Sequence, residues 1–175
     1  MLSFIHTMTK KSYLYFALAV FAATALMTGC GGMNGTYIAP PPGPFGLCSL
    51  IINNGYDYDI AVKLADVKNP NVTLHYVYVS AKSTAVIEKI APGNLMMRYT
   101  QGKEWDPVSK MFQRDRANFE SDQIFKFEEM ETETKTSDGI VKEKRYSVQS
   151  FTLNPSMGEG NTTTSQIDDK EFGNK

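Results

Sequence analysis

From Leu47 onward the chain alternates apolar and polar positions with a period of two. Cys48, Leu50 and Ile52 alternate with Ser49 and Ile51, and Asn53-Asn54-Gly55 ends the run as a turn. Ile60, Val62 and Leu64 alternate with Ala61 and Lys63 up to a second turn at Asn69-Pro70-Asn71. Residues 72–79, rich in β-branched and aromatic side chains, predict another strand, and 80–83 a turn. Residues 84–90 and 95–100 predict two more strands on either side of Pro92-Gly93. Successive side chains of a strand point to opposite faces. Short alternating runs punctuated by turn residues therefore predict an all-β chain folded as a single antiparallel sandwich.

Residues 101–122 leave that pattern. They carry Gly102, the single Trp105, Asp106-Pro107, then Met111, Phe112 and Phe119 among charges. The stretch is too long for a hairpin loop, so it is expected to be irregular, with room for a short helix. Loops of that length are commonly functional. Period two returns over 123–133 and 141–153, joined by Thr136-Ser137-Asp138-Gly139, a strong hairpin signal. A loop with Pro155, Gly158 and Gly160 follows, then a last strand over 162–167 and an acidic end from Asp168.

The start of the chain obeys a different rule. Lys10 and Lys11 precede a stretch, 12–29, without a charged side chain, which ends in Leu26-Met27-Thr28-Gly29-Cys30. A positive start, a short apolar run and small residues at its end make a secretory leader. With a cysteine directly after Gly29, the segment resembles the lipobox of bacterial prolipoproteins. The resemblance implies cleavage after Gly29 and a thioether-linked diacylglycerol on Cys30, with fatty acids such as palmitate holding the mature chain to a membrane. Two acyl chains suffice for stable attachment. An ordinary signal peptide and a retained span are the alternatives, but the run is at or under the ~20 apolar residues a spanning helix needs. Gly31, rather than an aspartate, at the second mature position implies sorting to the outer membrane of a Gram-negative envelope, facing the periplasm or the cell surface. Residues 31–46 include Gly31, Gly32, Gly35, Pro40-Pro41-Pro42 and Pro44. That composition predicts a flexible, extended tether reaching roughly a few tens of Å. The expected organisation is a leader over 1–29, lipidated cysteine and tether over 30–46, and the sandwich domain over 47–175.

Charge and cysteine count narrow the function classes. Two of the 18 basic residues lie in the leader and all 19 acidic residues follow Cys30, which leaves the mature chain a net charge of −3. That is not the basic footprint of a nucleic-acid binder. With Cys30 lipidated, Cys48 has no partner within the chain. His75 is the one histidine after the leader, so the usual Cys/His zinc sites cannot be assembled, and no cofactor motif stands out.

Trp105 in Gly102-Lys103-Glu104-Trp105-Asp106 is the most suggestive residue of the domain. Together with Arg98, Tyr99 and Phe112 it makes a candidate binding loop. Aromatic and arginine side chains anchor interfaces and stack on sugars. The competing expectation is a lid on the core. Cys48 and His75 echo a thiol–base pair, but an apolar strand raises a thiol's pKa rather than activating it. Glu129, Glu131 and Glu133 share one strand face opposite Lys142, Lys144 and Arg145, the signature of cross-strand pairing on a solvated face. Asp168, Asp169 and Glu171 lack the loop spacing of a calcium site.

The segment from Val86 through Pro92-Gly93 to Tyr99 resembles the strand–turn–strand element of transthyretin-like and carboxypeptidase-regulatory-like sandwiches. The resemblance implies a transthyretin-like or immunoglobulin-like sandwich and speaks to fold alone. The expected function is that of a membrane-anchored envelope lipoprotein with a non-catalytic binding or assembly role. Its partners are then the membrane, through Cys30, and an envelope protein or glycan. An accessory lipoprotein subunit of a secretion or pilus machine is the alternative, since some such machines use lipidated transthyretin-like domains. A carboxylate-dependent hydrolase fits less well.

Overall fold

The computed structural model describes residues 32–136, 139–153 and 163–173. Cys30, Ser137 and Asp138 of the expected hairpin turn, and residues 154–162, where a loop is expected, lie outside them. The strands are β1 Tyr37–Ala39, β2 Phe45–Asn54, β3 Asp59–Asp66, β4 Thr73–Val79, β5 Ser83–Ile90 and β6 Gly93–Asp106. They continue with β7 Met111–Ser121, β8 Phe125–Phe127, β9 Glu129–Thr136, β10 Gly139–Tyr146, β11 Val148–Leu153 and β12 Thr164–Ile167, before a short helix, α1 Asp169–Phe172. Among the described residues no helix is long and apolar enough to cross a membrane.

One large sheet runs β1-β4-β3-β6-β7-β12, with β8 pairing the start of β6. A second sheet, β11-β2-β5, lies against it, and β9–β10 form a separate hairpin. The period-two runs supply the interior. Ile60, Val62, Leu64, Val77, Val79, Leu95, Met97 and Tyr99 of the large sheet pack with Cys48, Leu50, Ile52, Ile87, Phe151 and Leu153 of the small one. The all-β sandwich expected from the alternation is the fold observed.

One ladder departs from the antiparallel expectation: β11 pairs β2 in parallel, from Val148↔Ser49 to Leu153↔Asn54. The hairpin explains it. Ser147 N donates to Glu128 O (3.0 Å), so the β9–β10 arm returns the chain to where it left. Ser49 N then donates to Ser147 O (3.1 Å), which starts β11 beside the early part of β2 and sends both strands the same way.

The segment expected to be a free tether is part of the domain. Met33–Thr36 closes a turn, with Thr36 N donating to Met33 O (2.9 Å), and Gly35 N donates to Tyr78 O (2.8 Å). β1 then pairs with β4, and Ile38 and Ala39 pack on the outer side of the large sheet. An open β4 edge would leave backbone donors and acceptors unpaired, and β1 covers it. The prolines from Pro40 onward lack the N–H a ladder needs and end the strand after three residues. Phe45 and Gly46 already belong to β2.

Nor are residues 101–122 an irregular loop with a helix. They are the far half of β6 and all of β7, paired as a hairpin. Positive φ at Glu104, Lys110 and Asp115 marks irregularities that upset strict alternation, which is why period two failed there. The hairpin bends over the outer face of the large sheet, where Tyr76 Oη donates to Lys110 O (3.2 Å). Gly102 permits the bend, because a Cβ at that position would lie 2.6 Å from Phe112 Cβ.

Candidate functional site

The outer face of the large sheet carries a row of side chains in register across four strands: Tyr76 on β4, Lys63 on β3, Arg98 on β6 and Glu120 on β7. Two cations directly opposite each other repel. Arg98 has a counter-charge, since its Nε lies 2.7 Å from Glu120 Oε2. It also donates through Nη1 to Glu171 O at 2.6 Å. Lys63 has none. Its Nζ donates to Phe172 O (2.9 Å) and stands 4.1 Å from the Phe172 ring centroid and 4.9 Å from that of Tyr76. Burial, with the charges of Arg98 and Lys110 added, pulls the Lys63 ammonium down to about 8. Loss of hydration disfavours the charged form, and aromatic faces and one carbonyl only partly replace water.

Helix α1 roofs the row, and its sequence shows why it forms there. Asp168 accepts from Glu171 N while Glu171 reaches back to Asp168 N, a capping box that satisfies the first turn. Gly173 takes the left-handed conformation (φ 82°) that stops the helix. Phe172 is buried, and Asp169 accepts from Arg116 and from Asn118 Nδ2. The helix thus directs its last carbonyls at Lys63 and Arg98, the favoured end for cations. Between the helix and the β3–β4 turn lies a pocket of about 260 Å³, lined by Lys63, Asn71, Thr73, Arg98, Lys170 and Phe172 among others. Lys63 and Arg98 give its wall a positive character.

The four residues of the expected binding loop do not share one surface. Arg98 reaches the pocket. Tyr99, 1% exposed, points the other way into the core, where burial pushes its hydroxyl up to about 12. Phe112, 2% exposed, and Trp105 meet across the β6–β7 ladder in an edge contact at 4.9 Å, with Tyr78 5.4 Å from the indole. Trp105 is half-buried in this outer cluster, and its Nε1 is buried without an acceptor among the described residues. Lys63 was missed in the sequence, where it reads as an ordinary solvated position of an alternating strand. Only the helix arriving from more than a hundred positions away makes it special.

Cys48 and His75 lead to different partners. Cys48 Sγ donates to Glu128 O (3.4 Å), and burial raises its pKa. The His75 ring lies 2.9 Å from Tyr37 Oη, and burial lowers its pKa. On the arm, Lys142 sits 2.5 Å from Glu133 and Lys144 3.4 Å from Glu131, while Arg145 faces away and meets Glu143. Asp168, Asp169 and Glu171 are occupied in holding α1, and among the described residues no three His, Cys, Asp or Glu side chains gather as a metal site. No family model, curated protein or solved structure matches this chain.

Proposed function

We propose that the protein is a lipid-anchored lipoprotein of the cell envelope whose domain binds an anionic group rather than transforming a substrate. The lipobox-like run into Cys30 supports the anchor. The observation that carries the binding role is Lys63, a half-buried ammonium without a carboxylate partner among the described residues, on the wall of an open pocket. Metabolic labelling with a fatty acid tests the anchor: wild type takes up label and Cys30→Ser does not. Label on Cys30→Ser would refute it. Inorganic phosphate at constant ionic strength tests the pocket. It should raise the melting temperature of the wild-type chain and leave Lys63→Met unmoved, and equal shifts in both would refute the site.

An assembly role, including that of an accessory subunit in a secretion or pilus machine, draws support from the β9–β10 arm. All eight residues of β10 are exposed, and Met130, Ile140 and Val141 present apolar side chains to solvent. A lone two-stranded hairpin is marginal in water, so a partner strand or surface would stabilise it.

A further inference from the structure

We infer that the corner formed by the β2–β3 and β4–β5 turns faces the membrane, resting directly on the phospholipid headgroups. The inference builds on the lipid-anchor reading and adds an orientation that the anchor alone does not imply.

The corner is one built unit. Buried Asn54 donates through Nδ2 to Tyr58 O (2.8 Å) and Ser80 O (3.0 Å), and its Oδ1 accepts from Tyr56 N (3.1 Å). Lys82 Nζ donates to Gly55 O (2.6 Å), and Asp59 accepts from Ala81 N (2.7 Å). The start of the domain is pinned to this unit. Asn34 Oδ1 accepts from Ser80 N, and Asn34 Nδ2 donates to Thr84 O, both at 3.0 Å. The Met33–Thr36 turn and the Gly35–Tyr78 bond lock the adjoining backbone.

Only Gly31 and Gly32 separate Cys30 from Met33. Three residue steps span at most about 11 Å. A diacylglycerol on Cys30 must lie at the bilayer interface, so Met33 and the corner it is pinned to can stand no farther than that from the headgroups. The surface suits this occupant. Met33 is its exposed apolar side chain, and Lys82 pairs with Asp57 beside Tyr56 and Tyr58. It is a polar, hydrogen-bonding surface with its charges paired, without an apolar wedge for the acyl layer.

The opposite end then points away. β5 runs from Ser83 at the corner to Ile90, about 23 Å at the rise of a strand. The β3–β4 turn, with Pro70 and Asn71 on the pocket wall, lies at that distal end. The pocket therefore opens toward the aqueous side rather than toward lipid.

The test uses the mature, lipidated full chain in phosphatidylethanolamine–phosphatidylglycerol vesicles that carry a headgroup spin label. Asp57→Cys at the corner (side chain 82% exposed) and Lys68→Cys in the distal turn each receive a thiol fluorophore. Cys48 is buried and Cys30 is capped by lipid, so the label goes to the new site. Unchanged Trp105 emission confirms the fold of each variant. Asp57→Cys should be quenched several-fold more strongly than Lys68→Cys, and a long Gly-Ser insertion between Gly32 and Met33 should erase the contrast. Equal quenching of the two sites, or a contrast that survives the insertion, overturns the orientation while leaving the anchor intact. Chains that carry no lipid by mass overturn both.

Discussion

The two faces of the large sheet are made by the same strands and obey opposite rules. On the inner face Ile60, Val62, Leu64, Val77, Val79, Leu95 and Met97 meet the small sheet in one apolar cluster. On the outer face, one residue along in each strand, Lys63, Arg98, Thr100 and Asn118 sit among Tyr76, Tyr78, Phe112, Trp105 and Phe172. The inner face is interchangeable apolar area. The outer face is built from particular pairings, and among the described residues it leaves Thr100 Oγ1, Asn118 Oδ1 and Trp105 Nε1 buried without hydrogen-bond partners. A sandwich requires only the first face to be apolar. The second carries the polar and charged side chains.

The comparison predicts unequal losses. Phe151→Ala on the inner side removes a ring with no exposure and should cost about 3–5 kcal/mol in urea unfolding. Trp105→Ala on the outer side should cost about half as much, because the half-buried ring already keeps part of its hydration. Equal losses would mean that the outer cluster is a second full core. Gly102→Ala probes the fold-over of the β6–β7 hairpin. The new methyl would meet Phe112 Cβ and Arg114 O (2.8 Å), and overpacking of that kind costs about 1–3 kcal/mol. A thermal melt unchanged from wild type would show that the hairpin does not lie where described.

Trp105→Phe should cost less than about 1 kcal/mol despite the smaller ring. The indole N–H is buried with no acceptor among the described residues, and removing an unsatisfied buried donor offsets the lost area. Circular dichroism is the readout, since the chain then has no tryptophan. A loss as large as that of Trp105→Ala would point instead to a hydrogen bond from Nε1.

The inner face was legible because alternation is a local property. Each of β2 to β5 could be read from its own few residues, with Asn54-Gly55 and Pro92-Gly93 marking the turns. The outer face was not. β6 and β7 kept their ladder through positive-φ positions at Glu104 and Asp115 that shift side chains from one face to the other, so counting by twos lost its place. β1 is only Tyr37–Ala39 between glycine and prolines, and its strand state comes from the open edge of β4 rather than from its own propensity. Arg98 was singled out beside Trp105, yet its partners are Glu120 and the helix carbonyl of Glu171, contacts set by register and by a chain end that sequence spacing does not connect.

The finest difference between the faces is electrostatic, and Lys63 measures it. Its ammonium ordinarily titrates near 10.5 and is pulled to about 8 in the fold by burial, Arg98 and Lys110. Below pH 8 the lysine is charged in both folded and unfolded chains, and the folded state bears the whole cost of holding it. Between about 8 and 10.5 the folded chain releases the proton while the unfolded chain keeps it, so Lys63's contribution makes stability rise with pH through that window. Lys63→Met keeps the length and the packing on Phe172 and removes the charge. It should therefore be more stable than wild type at pH 7 by about 1 kcal/mol, the low end for replacing a buried charge because Lys63 retains some solvent and a carbonyl partner. The advantage should shrink steadily as the pH rises from 8 toward 10. Urea unfolding of both chains at pH 7, 8, 9 and 10 decides it. A difference that stays constant with pH would mean that Lys63 is charged at the same cost in both states, and the outer face would then be no more than a solvated one.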